Sequence, residues 1–268
     1  MTPLFELRDV CFDYEGIPAL RGLSLQINRS ERLALLGANG SGKSTLLRML
    51  DGLCSPSQGS LHFEARQLTA ELLQRDDFAL PFRRRVALVF QNPDVQLFNP
   101  TVFDEVAFAP LQLGWSREQV LSRVEQTLEY MRLTGVRDRP PYRLSGGEKK
   151  RVALASVLVL DPEVLLLDEP TATLDPRSQS QIIDLIQEWK GSSKTVISAT
   201  HQLEIVEDIA DRVILLEEGK VAAMGAPAEI LSNNELLLRA NLVHAHRHSH
   251  NGVVHSHPHI HSHSKHEH

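Results

Sequence analysis

Short, uninterrupted apolar runs alternate along this chain with amphipathic stretches. The segments Arg32-Leu33-Ala34-Leu35-Leu36, Val86-Ala87-Leu88-Val89-Phe90, Val164-Leu165-Leu166-Leu167 and Thr195-Val196-Ile197-Ser198-Ala199-Thr200 lack a polar face. Such runs read as parallel strands covered on both sides, since neither face has to meet water. Further strands are predicted near residues 60–64 and 212–217, with an antiparallel pair near 4–10 and 20–28. Helices are predicted near 43–52, 116–133, 147–160, 176–190 and 202–209. Strands alternating with helices imply an α/β architecture around a mostly parallel sheet. Gly219, Gly225 and Pro227 punctuate the end of this core, and a short helical patch follows at about 227–242. The domain is therefore drawn at residues 1–243, ahead of a compositionally different tail at 244–268.

Composition narrows the class. At 268 residues and 42% apolar content, the chain has enough material for one full core. Two cysteines, Cys11 and Cys54, supply no disulfide framework and suit a reducing compartment. The first residues, Met1-Thr2-Pro3-Leu4-Phe5-Glu6, lack the basic and apolar stretches of a secretion signal. No apolar run approaches the ~20 residues that span a bilayer. The expected location is the cytoplasm, with any transport role exercised through separate membrane subunits. The net charge of −6 argues against nucleic acid, and Arg83-Arg84-Arg85 reads as a solvated edge before a core strand.

The chemistry begins after the 32–36 strand. Gly37-Ala38-Asn39-Gly40-Ser41-Gly42-Lys43-Ser44, running into the helix-like Thr45-Leu46-Leu47, has the strand–loop–helix setting of a Walker A motif. Its glycines let backbone amides curl around phosphate oxygens, and the helix N-terminus adds partial positive charge. Lys43 is suited to neutralise β- and γ-phosphates, and Ser44 to ligate Mg²⁺. Downstream, the apolar 164–167 run ends in Asp168-Glu169-Pro170. Asp168 at the strand end suits the Mg²⁺ shell, and Glu169 a water in line with the γ-phosphate. Alone, two acids capping a core strand would be unremarkable; together with the loop they make a nucleotide site.

Between these halves lies Leu144-Ser145-Gly146-Gly147-Glu148-Lys149-Lys150-Arg151, leading into Val152-Ala153-Leu154-Ala155. A serine and two glycines at a helix N-terminus form an anion-binding cap, though in isolation a plain capping turn explains them as well. With the Walker halves around it, this segment resembles the signature sequence of the ATP-binding cassette (ABC) ATPases, with Glu148 where glutamine is more usual. The resemblance covers roughly residues 4–225. It implies a P-loop NTPase (RecA-like) fold with an antiparallel β subdomain and an inserted α-helical signature subdomain at about residues 92–160. It further implies a homodimer in which Ser145, Gly146, Gly147 and Glu148 cap the γ-phosphate of ATP held by the other copy.

Other positions match the same family. Tyr14 resembles the aromatic that stacks on adenine, the alternative being a strand aromatic packed inward. Gln91 resembles the Q-loop glutamine that touches Mg²⁺ and the attacking water. Asp175 resembles the D-loop aspartate that couples paired sites, and His201 the switch histidine on the γ-phosphate. ATP and Mg²⁺ are the implied cofactors, with Ser44, Gln91 and Asp168 around the metal. Ser30-Glu31 departs from the more common Gly-Glu before the phosphate-loop strand, without consequence for the site.

Two features bear on cargo. Phe90-Gln91-Asn92-Pro93-Asp94-Val95-Gln96 resembles a stretch found in ATPases of energy-coupling-factor importers, which carry vitamins or transition-metal cations through separate membrane proteins. Leu97, Phe98, Val102 and Phe103 would then supply the contact surface for the membrane partner, unless they pack the helical subdomain. The second feature is the tail. Eleven of its 25 residues are histidine: His244, His246, His248, His250, His255, His257, His259, His261, His263, His266 and His268. A tract this poor in apolar residues is expected to be disordered without metal, and its imidazoles suit Ni²⁺, Co²⁺, Zn²⁺ or Cu²⁺. An expression tag, an inert spacer and a pH-responsive segment are the competing readings. A cation cargo, nickel or cobalt, is favoured over a vitamin, and an importer subunit over a soluble ABC ATPase or a metal store.

Overall fold

The computed structural model describes residues 2–250 and 253–259, with side chains described from 2 to 243. The chain opens with β1 (Phe5–Tyr14), β2 (Ile17–Ile27) and β3 (Arg32–Leu36), then α1 (Lys43–Leu50), β4 (Gln58–Phe63) and β5 (Arg66–Gln67). Next come α2 (Ala70–Leu73), α3 (Asp76–Arg85), β6 (Val86–Val89), α4 (Val102–Gln112), α5 (Arg117–Tyr130) and α6 (Gly146–Leu158). The remainder is β7 (Val164–Asp168), α7 (Pro176–Glu188), β8 (Thr195–Thr200), α8 (Val206–Ile209), β9 (Arg212–Glu217), β10 (Lys220–Gly225), α9 (Pro227–Ser232) and α10 (Asn234–Arg239).

Two sheets divide these ten strands. The larger runs β10-β9-β3-β8-β7-β6, with β9 to β6 all parallel and β10 antiparallel at one edge. The smaller is antiparallel in the order β2-β1-β4-β5. Successive side chains of a strand point to opposite faces, and here both faces are covered. Leu33, Leu35, Leu166, Ile197, Ile214 and Leu216 pack with α1 and the antiparallel sheet. Ala34, Leu36, Leu165, Leu167, Val196, Val213 and Leu215 pack on the other side with α4 to α8. That double covering is why the runs carry no polar face. Each fully buried leucine contributes roughly 1.5–3 kcal/mol to this core.

The helices between β6 and β7, α4, α5 and α6, form the inserted layer. α5 and α6 each begin with a reciprocal capping box, Ser116 with Gln119 and Ser145 with Glu148. The sequence reading missed α3, whose charges favour a helix: Asp76 and Asp77 in the first turn, Arg83 to Arg85 in the last. Pro81 inside it obscured the pattern. Of the arginine cluster, Arg83 and Arg84 are exposed, whereas Arg85 is half-buried. Arg85 donates to Glu64 Oε2 at 2.8 Å and to Glu163 Oε1 at 2.9 Å, and lies 4.8 Å over the Phe63 ring. It ties the antiparallel sheet to the edge of the parallel one.

The backbones of β11 (His244–His250) and β12 (Val253–His259) pair antiparallel, setting His244 opposite His259, His246 opposite His257 and His248 opposite His255. The two-residue alternation of histidine suits a strand. His261 and His263 lie outside the described residues.

Candidate functional site

In an open parallel sheet, ligands bind outside the carboxyl ends of the strands. Here β3 ends at the glycine-rich loop, β6 just before Gln91, β7 at Asp168 and β8 just before His201. The sheet therefore delivers chemistry-bearing residues from four distant segments to one edge.

The loop from Gly37 to Gly42 leads into α1 with its amides unoccupied by side-chain caps. Gly42 has φ +102, and a Cβ there would lie 2.7 Å from the Ala19 carbonyl, so only glycine fits without strain. Lys43 is buried and folds back along the loop, donating to Gly37 O at 2.7 Å and Ala38 O at 3.1 Å. Its ammonium also lies 4.0 Å from Glu169 Oε1. Burial lowers the Lys43 pKa, while Glu169 and Asp168 pull it back up.

Across the loop, the Ser44 hydroxyl donates to Asp168 Oδ1 at 3.0 Å. Burial raises the Asp168 pKa, the Ser44 hydrogen bond lowers it, and the adjacent Glu169 raises it again. Glu169 follows directly, with φ 45 and its amide donating to Ala199 O at 2.9 Å. That left-handed backbone turns the side chain out of the strand direction. Its Oε1 lies 2.7 Å from His201 Nδ1, and its Oε2 is buried with no hydrogen-bond partner.

Tyr14 is half-exposed beside α1, its hydroxyl 3.5 Å from Thr45 Oγ1 and its ring edge-on to Phe12. Lying open rather than packed inward, it keeps a face free. Gln91 is also exposed, and no hydrogen bond among the described residues joins its side chain to Ser44, Asp168 or Glu169. Its carbonyl is held by Lys150 at 3.3 Å.

The signature segment stands at the start of α6. Glu148 accepts from the Ser145 amide and from its hydroxyl, both at 2.8 Å, which lowers the Glu148 pKa. Asp175 caps α7, accepting from the amides of Arg177 and Ser178 at 3.1 Å and from the Ser178 hydroxyl at 2.6 Å. These bonds, the Ser178 hydroxyl first, lower its pKa. The two segments touch. A Cβ on Gly147 would come within 2.3 Å of Ser178 Oγ and 3.9 Å of Asp175 Oδ2.

Of the apolar residues after Gln91, Val102 is fully buried, and Leu97 and Phe103 pack against the core. Phe98 alone of that group is exposed, at 68%. Leu97, Val102 and Phe103 thus follow the packing alternative: helix α4 turns Val102 inward, and Phe98 stacks edge-on against half-exposed Phe108 at 5.0 Å. Val95 and Leu111 are exposed as well. Sequence reasoning also passed over Lys150, a lysine on the buried face of α6 with Gly147, Ala153 and Leu154. A cation on an apolar helical stripe was the available signal.

The family model described as ABC transporter matches residues 20–172, which include the glycine-rich loop, the signature segment and the Asp168-Glu169 pair. The chain belongs to the ABC transporter family. A nickel import ATP-binding protein, NikO, of Rhodobacter capsulatus is 54% identical over 91% of this chain and 97% of its own length. The solved structure of cbiO1 from Clostridium perfringens, part of the ABC transporter complex cbiONQ, matches with a TM-score of 0.76 and 35% identity. It covers 90% of this chain and 96% of that one. A dimeric, post-hydrolysis cassette, MJ0796, bound to ADP and Pi matches at 0.74 and 26%, over 83% and 98%.

As a member of this family the protein is an ATPase with the P-loop fold. No helix among the described residues is long and apolar enough to cross a membrane. The family implies Mg²⁺, and the donor set fits it. Asp168 and Glu169 are two adjacent buried carboxylates, and the Ser44 hydroxyl already stands at hydrogen-bond distance from one of them. Hard oxygen donors around a phosphate are the ligands Mg²⁺ takes.

Proposed function

We propose that this ABC ATPase is the energising subunit of an energy-coupling-factor type importer for a transition-metal cation, nickel or cobalt. The observation that carries the cargo reading is an eleven-histidine tail on a chain 54% identical to a nickel import ATP-binding protein.

Hydrolysis follows from positions at the sheet edge. Lys43 neutralises charge on the β- and γ-phosphates, and the amides from Gly37 to Thr45 cradle their oxygens. Ser44, Asp168 and Gln91 would hold Mg²⁺, which supplies charge neutralisation at the transferring phosphoryl group. Glu169 orients the attacking water through Oε2, the oxygen left without a partner. His201, bonded to Oε1, fixes that carboxylate and reaches toward the γ-phosphate side. Tyr14 offers its free face to adenine. Positioning and charge do most of the work, since phosphoryl transfer needs little covalent chemistry.

In this reading two copies sandwich two ATP molecules head to tail. Ser145 to Glu148 of one copy face the γ-phosphate of the other, and Asp175 couples the two sites. The exposed Phe98, with Phe108, Val95 and Leu111 around it, is the contact for a membrane subunit, which keeps the protein peripheral at the cytoplasmic face. The tail binds the metal through its imidazoles. The backbone register sets His244 opposite His259, His246 opposite His257 and His248 opposite His255. By the Irving–Williams order such donors hold Cu²⁺ and Ni²⁺ more tightly than Co²⁺, whichever ion is carried.

The deciding experiment is uptake of labelled Ni²⁺, Co²⁺ and vitamins by cells carrying the whole transporter with wild-type ATPase or Glu169→Gln. ATPase-dependent uptake of a metal ion supports the reading. Uptake of a vitamin alone, or no co-purifying membrane partner, overturns it.

A further inference from the structure

Lys150 is buried more deeply than the phosphate-loop lysine, at 2% exposure against 5%. Among the described residues, no carboxylate lies within ion-pair distance of it. Its ammonium instead donates to three main-chain carbonyls: Phe90 O at 2.9 Å, Gln91 O at 3.3 Å and Asp168 O at 3.5 Å. Burial lowers its pKa to about 8, with Asp168 and Glu169 opposing the shift. Holding an ammonium out of water is costly unless its hydrogen bonds are well used.

The three acceptors have something in common. Phe90 and Gln91 form the exit of β6, and Asp168 is the last residue of β7. A carbonyl has no side chain to rotate away, so fixing these three sets where the side chains of Gln91, Asp168 and Glu169 depart from the backbone. Lys150 itself lies two residues beyond Glu148, in the first turns of α6. Movement of the signature cap therefore pulls directly on the carboxyl ends of two catalytic strands.

We propose that Lys150 is a positioning residue that locks Gln91 and Asp168 to the signature helix of the same chain, so that this chain's capping of the nucleotide held by the partner copy and the alignment of its own hydrolytic carboxylate occur together. The inference rests on the assignment of Gln91, Asp168 and Glu169 to the nucleotide site given above. A lysine that merely filled space at the strand ends would matter for folding and for nothing else. A clamp matters at the step where the γ-phosphate site is assembled, after nucleotide has bound.

The test uses the full chain carrying Lys150→Met, which keeps the length and removes the donor, or Lys150→Gln, which keeps a donor one bond short. Nucleotide affinity is measured with a fluorescent ATP analogue, alongside kcat and KM for Mg-ATP. The expected result is a fall in kcat of about tenfold or more in the Met variant, with nucleotide affinity changed by less than about twofold. The Gln variant should lie between it and wild type. Unchanged kcat in either folded variant overturns the proposal, as does a loss that falls on affinity alone. If the Met variant does not fold, the Gln variant decides by the same criteria. A wild-type chain that neither binds nor hydrolyses ATP would instead remove the site assignment on which the inference stands.

Discussion

His201 Nδ1 lies 2.7 Å from Glu169 Oε1, although the two residues follow different strands, β8 and β7. One carboxylate oxygen is thereby occupied, and the other is buried without a hydrogen-bond partner. Replacing His201 with alanine should lower kcat by roughly ten- to a thousandfold while changing ATP affinity only slightly, the pattern of a lost transition-state interaction. Steady-state kinetics with a parallel nucleotide titration reads this directly. A variant with normal kcat would remove the histidine from the chemistry.

Glu169→Gln keeps the shape of the side chain and its contact distance but loses the charge that polarises water. ATP binding should survive, turnover should fall by at least about a hundredfold, and ATP should stabilise a dimer. Light scattering with and without ATP checks the dimer. Normal turnover in this variant would show that another group activates the water.

Gly147 abuts Ser178 so closely that a methyl group would collide with its hydroxyl. Gly147→Ala should displace the start of α7, including the Asp175 cap, at a cost of roughly 1–3 kcal/mol. Because the colliding atom is a side-chain oxygen, adding Ser178→Gly should recover much of the loss in urea unfolding. Equal stability of the single and double variants would mean that the backbone, not Ser178, absorbs the clash.

Arg32 is almost fully buried and donates to Asp211 Oδ1 at 2.7 Å and to Oδ2 at 3.1 Å. The bond from Arg32 holds the Asp211 pKa below its usual value. The folded state thus binds this proton less readily than the unfolded chain. The stabilisation is complete above the ordinary aspartate range near 4 and is lost as pH falls through the depressed folded value. Asp211→Asn should cost roughly 1–2 kcal/mol at pH 7 by leaving buried guanidinium donors poorly matched. The gap from wild type should narrow toward pH 3. A gap that stays constant with pH would show that the pair's charge is not what matters.

Deleting residues 244–268 should leave Mg-ATP hydrolysis unchanged and abolish binding of several Ni²⁺ ions per chain. Imidazole ligates only when neutral, so Ni²⁺ binding by the intact tail should weaken as pH falls through about 6.5. Equilibrium dialysis across that range, with and without the tail, checks both statements. Unchanged stoichiometry after deletion would end the metal reading.

Much of this was legible before any coordinates. The boundaries of β3, β8 and β9 follow from their apolar runs, because a strand covered on both faces announces itself in composition. Helix α6 was legible from Ser145 and Glu148, which form the reciprocal cap. Other parts were not. Helix α3 was masked by Pro81, and β10 is a half-buried edge whose pattern is weak. Which of the four apolar residues after Gln91 stay exposed was not legible, since residues close in sequence cannot declare which of them the fold turns inward.

Local order along the chain already carries the ATPase motifs: the residue types at 37–44, 145–148 and 168–169, and their spacing, are legible without any long-range contact. Tertiary structure alone decided how they act as a unit. Only the parallel register of β7 and β8 brings Glu169 to His201, and only the packing of α6 under the strand ends lets Lys150 reach the carbonyls of Gln91 and Asp168. Contacts between segments tens of residues apart are set by the shape of the shared core, which no single stretch of chain encodes.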